Sequence, residues 1–151
     1  MQKALKSAEK GLEVWKNTTP WERSYKIRKV ANLMREKKDV LAKWLTLEVG
    51  KPLAEGVGEV GGGADIFEWN AEETKRIYGQ TVQTRFPDTR AHIYYQPVGV
   101  VAALVPWNFP ITSSVAGFIT SYDSFFSACC HLPSMNCPNL SYIDLFLSLL
   151  N

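Results

Sequence analysis

Beyond Arg90 the sequence contains no lysine, arginine or glutamate, and the only charged side chains of residues 91–151 are Asp123 and Asp144. A free-standing globular segment needs a solvated face along its length, so a stretch this poor in charge is expected either to be covered by other structure or not to fold with the domain. Cysteine is scarce as well. Cys129, Cys130 and Cys137 are the only three, an odd number that does not read as a disulfide framework. With His131 they could form a metal site, but adjacent cysteines lack the paired CxxC spacing of zinc centres, so no metal is expected. No apolar run approaches the roughly 20 residues that a bilayer span requires. The most apolar stretch, 140–150, is interrupted by Ser141, Asp144 and Ser148. The N-terminus has no basic region, apolar run and small-residue cleavage site in succession, so a cytoplasmic location without membrane attachment is expected. Seventeen basic against fifteen acidic residues leave a net charge of +2, too little to argue for nucleic acid.

What is present describes one ordinary globular domain: 151 residues, 46% hydrophobic and 21% charged. Leu5, Ala8, Leu12 and Trp15 recur at helical spacing over 2–16 and predict an amphipathic helix. Thr19-Pro20-Trp21-Glu22 supplies an N-cap hydroxyl, a proline at the first helical position and a glutamate able to reach back to the cap. The helix that follows is predicted to turn Tyr25, Val30, Leu33 and Met34 inward. Asp39 is read as the cap of a third helix over 40–49, closed by Gly50 and Pro52. The tryptophans of this region are expected in the core.

Residues 53–78 show helical spacing in their second half, at Ile66, Phe67, Trp69 and Ile77. The first half contains Gly56, Gly58, Gly61, Gly62 and Gly63. Each interior glycine weakens a helix by up to about 1 kcal/mol relative to alanine, so a weak or kinked segment is predicted unless close packing offsets it. Gly56-Val57-Gly58-Glu59-Val60-Gly61 satisfies GxGxxG, but it follows the polar turn Gly50-Lys51-Pro52 rather than a buried strand, and a dinucleotide fingerprint is rejected.

After Gly79 the period becomes two. Thr81, Val82 and Thr84, then Ile93, Tyr94 and Tyr95, predict a β-hairpin turning at 86–90, whose edge suits another sheet, another subunit or solvent. His92 is read as structural. Residues 98–105, VGVVAALV, form a continuous small and β-branched run between Pro97 and Pro106, the pattern of a parallel-sheet strand buried on both faces, with ligands bound beyond its carboxyl end. Pro106-Trp107-Asn108-Phe109-Pro110 follows directly. Pro110 is placed to begin a helix, and an asparagine amide at such a junction can donate to a developing oxyanion.

PVGVVAALVPWNFP resembles the strand and loop of the NAD(P)-dependent aldehyde dehydrogenase superfamily. The likeness extends upstream through the helix over 20–38, Thr46-Leu47-Glu48, Gly50-Lys51-Pro52-Leu53-Ala54-Glu55, Gly58-Glu59-Val60 and Phe67-Glu68-Trp69 to Tyr78-Gly79, covering about residues 2–110. The EVGKPLAE and AEETKRIYGQ stretches are most similar to the succinate-semialdehyde dehydrogenase branch. The resemblance implies an α/β fold, present as N-terminal helices, a hairpin and the first strand of a parallel dinucleotide-binding sheet. It implies oxidation of an aldehyde to an acid with NAD or NADP. It makes Asn108 the side-chain half of an oxyanion hole, lines the cofactor with Leu104, Val105, Pro106 and Trp107, and assigns 80–97 to the family's oligomerisation hairpin. Past Pro110 the family pattern stops: its Lys-Pro segment is absent from 111–126, and Cys129 and Cys130 match no nucleophile motif. Residues 1–120 are therefore read as a partial cofactor-binding domain and 121–151 as an unrelated tail. The expected chain is a truncated, inactive dehydrogenase; the alternative is a noncatalytic fragment that docks on full-length subunits and modulates their assembly.

Overall fold

The computed structural model describes residues 2–101 and 105–113. Four α-helices come first: α1 (Gln2–Lys16), α2 (Pro20–Glu36), α3 (Lys38–Val49) and α4 (Leu53–Glu73). A 3-10 turn, Thr74–Arg76, leads to the antiparallel hairpin β1 (Gln80–Gln83) and β2 (Arg90–Ile93). Residues 110–113 begin another helical turn.

The start of α2 follows from its sequence. Glu22 N–H donates to the Thr19 hydroxyl at 3.3 Å, and the Glu22 carboxylate accepts from the Thr19 N–H at 3.1 Å and from its hydroxyl at 2.9 Å. This reciprocal cap, with Pro20 at the first helical position, satisfies donors that a helix end leaves without intrahelical partners. The same bonds hold the Glu22 carboxyl below its ordinary value, the backbone N–H contributing most. The third helix departs from expectation: it starts at Lys38 with Lys37 as an N-cap that makes no side-chain bond, and Asp39 lies in its first turn. The chain turns from α2 into α3 at Lys37, whose N–H still bonds Leu33 O at 3.0 Å, so no extended residue remains for Asp39 to cap from. Gly50 does end α3, at φ 75°, a left-handed conformation that disfavours side chains with a Cβ.

The glycine-rich segment is also corrected, since α4 runs unbroken for 21 residues. Its buried residues are Gly56, Glu59, Val60, Gly63, Ala64, Phe67, Asn70 and Ala71, one face at i, i+3 and i+4 spacing. That face packs on α2 and α3. A Cβ at Gly56 would lie 3.1 Å from the Ala42 carbonyl oxygen, so the missing side chain lets α3 and α4 approach backbone to backbone, and tertiary burial overrides weak helical propensity.

The core consists of Ile27, Val30, Ala31 and Met34 from α2, Leu41, Ala42 and Leu45 from α3, Val60, Ala64, Phe67 and Ala71 from α4, and Ile111. Tyr25 is 70% exposed rather than inward, and the buried positions beside it are Arg23, Ser24 and Ile27. The tryptophans are not core residues either. Trp21 lies open to solvent, Trp44 is partly exposed, and only Trp15 packs against the core from α1. Gly56 brings α4 close to the Ala42 backbone of α3, and the face between these helices is filled by small and aliphatic residues and Phe67.

The hairpin pairs Gln80 with Ile93, Thr81 with His92, Val82 with Ala91 and Gln83 with Arg90. The strands are shorter than expected. Thr84 enters the turn, where its hydroxyl accepts from Phe86 N–H at 3.2 Å, and Tyr94 and Tyr95 lie beyond β2. Residues 98–101 and 105 take no strand, and the hairpin is the only sheet among the described residues. A strand covered on both faces needs neighbours to cover it, whereas Val98 is 69% exposed. No described helix is long and apolar enough to cross a membrane.

Candidate active site

The loop after residue 105 is fixed from below by α4. Trp107 and Asn108 form a turn, Pro110 starts the helical residues 110–113, and Ser113 N–H donates to Phe109 O at 2.9 Å. Proline suits this position because it lacks an N–H, which would have no intrahelical partner there. Ile111 is buried in the helical core, so the loop is pinned immediately after Pro110.

Two charged side chains complete the anchorage. Glu59 lies on the buried face of α4 with its side chain 2% exposed, and Lys51, in the turn between α3 and α4, is 10% exposed. They form an ion pair through Lys51 Nζ and Glu59 Oε2. The other carboxylate oxygen, Oε1, accepts from Ile111 N–H at 2.9 Å and Thr112 N–H at 3.3 Å. Lys51 Nζ also donates to Asn108 O at 2.9 Å and lies 4.5 Å from the Phe109 ring centroid. The charges are therefore paired and hydrogen-bonded, the condition under which burial is tolerated.

Of the residues singled out in the sequence, Val105 is half-buried, whereas Pro106, Trp107 and Asn108 are exposed together on one loop. Leu104 lies outside the described residues, as do Cys129, Cys130, His131 and Cys137. Among the described residues no group of three or more His, Cys, Asp or Glu side chains could hold a metal ion. Lys51 and Glu59 were not singled out individually for a role at the loop. A signal was available: Glu59 interrupts the stripe Gly56, Val60, Gly63, Ala64 and Phe67, and a carboxylate on an otherwise apolar helix face requires a partner.

The sequence model described as "Aldehyde dehydrogenase family" matches residues 1–121. The glutarate-semialdehyde dehydrogenase of Pseudomonas putida is 49% identical over 109 residues, which are 72% of this chain and 23% of that protein. The NADP(+) succinate-semialdehyde dehydrogenase GabD of Escherichia coli is 48% identical over 107 residues, 71% of this chain and 22% of that protein. Among solved structures, an E. coli NADP dependent enzyme superimposes with a TM-score of 0.83 at 38% identity, covering 99% of this chain and 30% of the other. The chain thus spans less than a quarter of the length of these two curated relatives.

Proposed function

This chain belongs to the aldehyde dehydrogenase family, and from that premise we propose that it forms the N-terminal part of an NAD(P)-dependent semialdehyde dehydrogenase in which Asn108 donates to the reacting oxygen. The observation that carries the reading is the loop itself: an exposed asparagine in the turn that leads into a buried helix start. Attack of a thiolate on an aldehyde places negative charge on the former carbonyl oxygen, and a donor fixed before that charge develops lowers the barrier. The names of the relatives favour a dicarboxylic semialdehyde as substrate. One donor is not a catalytic centre, since thiohemiacetal chemistry also needs a nucleophile and a base. In this reading the 151 residues do not oxidise aldehydes by themselves.

The residues near the loop fit a nicotinamide cofactor in part. Pro106 and Trp107 are exposed and Val105 is half-buried, which offers apolar surface for a flat ring. The helix start at Pro110 is already occupied by the Glu59 carboxylate, so a pyrophosphate would have to be held elsewhere. When bound, the cofactor accepts hydride; what the loop contributes is a wall and a donor. The parallel sheet behind the loop belongs to this proposal too, with 98–105 as one of its strands.

The test is a chimera joining residues 1–110 to the remainder of the P. putida glutarate-semialdehyde dehydrogenase. Asn108→Ala is expected to lower kcat by about 10²–10³-fold and to leave KM within about twofold, because the lost interaction forms mainly in the transition state. An unchanged kcat would remove Asn108 from the reaction.

The hairpin supports a second reading, a docking element for another copy of this chain. All eight strand residues are exposed, and both outer backbone edges lack partners among the described residues, an arrangement open to edge pairing. A concentration-dependent dimer on size exclusion is expected, lost in Val82→Lys/Ile93→Lys. Identical elution of the two proteins would exclude the hairpin as the contact.

A further inference from the structure

We propose that Lys51 and Glu59 are positioning residues for Asn108, acting as one clamp that fixes the backbone of the loop from both sides. The inference rests on the reading of Asn108 as the oxyanion donor, but its physical content is independent of any reaction. On the N-terminal side of Pro110, Lys51 Nζ holds the Asn108 carbonyl at 2.9 Å. On the C-terminal side, Glu59 Oε1 holds the Ile111 and Thr112 amides at 2.9 and 3.3 Å. The ion pair joins the two grips.

The clamp restrains the peptide unit that carries the Asn108 Cα–Cβ bond without touching its carboxamide, so the side chain remains available to a ligand. A loop residue anchored only through Ile111 could still rotate about the bonds of 107–109. The Lys51 contact removes that freedom. Both clamp residues stand on elements that the core already orders: Glu59 on the buried face of α4, and Lys51 directly after the left-handed Gly50 that closes α3. A small error in donor placement weakens charge stabilisation steeply, which gives the chain a reason to keep a charged pair where an apolar pair would pack.

The experiment measures ¹⁵N relaxation and amide exchange in the full 151-residue chain. In Lys51→Met/Glu59→Leu, which leaves no lone buried charge, the Asn108 and Phe109 backbone order parameters are expected to fall from about 0.85 to below about 0.6. The Ile111 and Thr112 amides should exchange roughly tenfold faster or more, while Ala31, Leu45 and Ala64 keep their protection. Glu59→Gln, the isosteric variant, should loosen the same four residues less, and Lys51→Arg, which keeps a donor and a charge, should keep the order of the parent. Unchanged order at Asn108 with faster exchange at Ile111 and Thr112 would make the pair a helix cap only and overturn the proposal. Equal acceleration at Ala31 and Leu45 would make it a general stabiliser and overturn it as well. None of these readings depends on catalysis, so loss of the oxyanion assignment, seen in the kinetics of Asn108→Ala, is recognised separately.

Discussion

Phe67→Ala is expected to destabilise the chain by about 3–5 kcal/mol. Phe67 is 1% exposed and sits on the C-terminal half of the buried face of α4. Its neighbours on that face, Ala64 and Ala71, are too small to move into the vacated volume. Collapse of α4 onto α2 is opposed by the ion pairs along their shared edge, where Arg35 bonds Asp65 at 2.8 Å and Glu68 at 2.5 Å and Arg28 pairs with Glu72. These pairs hold the Arg35 guanidinium more firmly protonated than usual, Asp65 contributing most, yet exposed ion pairs contribute only about 0–1 kcal/mol each. They fix a spacing rather than supply the stability. Since domains of this size unfold at about 5–15 kcal/mol, the variant should lose a substantial part of its margin, seen as a large drop in the urea midpoint. Trp69→Ala, two residues on and 71% exposed, should change stability by no more than about 0.5 kcal/mol. Equal losses in the two variants would contradict this core.

The contrast between Phe67 and Trp69 also marks what the sequence could disclose. Periodicity identified α1, α2 and the hairpin, and the Thr19–Glu22 cap was legible because its chemistry is local: four consecutive residues contain every donor and acceptor involved. The face that each helix presents was less legible. Tyr25 and the tryptophans look like core residues by size, but the interior volume is set by how closely α4 approaches α3, and that distance depends on Gly56 meeting the Ala42 carbonyl across the interface. The same long-range contact explains why a glycine-rich segment forms a complete helix. At the candidate site, Pro106 to Pro110 was conspicuous as a motif, whereas its anchorage was not. Lys51 and Glu59 are separated from the residues they hold by 57 and 52 positions, so no local pattern links them.

Lys51→Met should cost about 3–5 kcal/mol, the range for stranding one partner of a buried ion pair. Methionine keeps much of the lysine stem and its packing beside Phe109, so the change isolates the charge. Glu59, 2% exposed, would then retain only the Ile111 and Thr112 amides, and these two hydrogen bonds place the expected cost near the lower end, at about 3 kcal/mol. Lys51→Met/Glu59→Leu removes the stranded charge and should recover a large part of the loss, because a well-packed apolar pair is often as stable as the ion pair it replaces. The resulting coupling energy, read from a double-mutant cycle in urea, is expected to change little with salt, since ions screen buried pairs far less than exposed ones. A coupling below about 0.5 kcal/mol, or one abolished by moderate salt, would place the pair in solvent and contradict its burial. A double variant nearly as stable as the parent, yet with a mobile Asn108, would separate the two roles. The ion pair would then owe its place in the fold to the geometry it imposes on the loop, with stability supplied by the helices beneath.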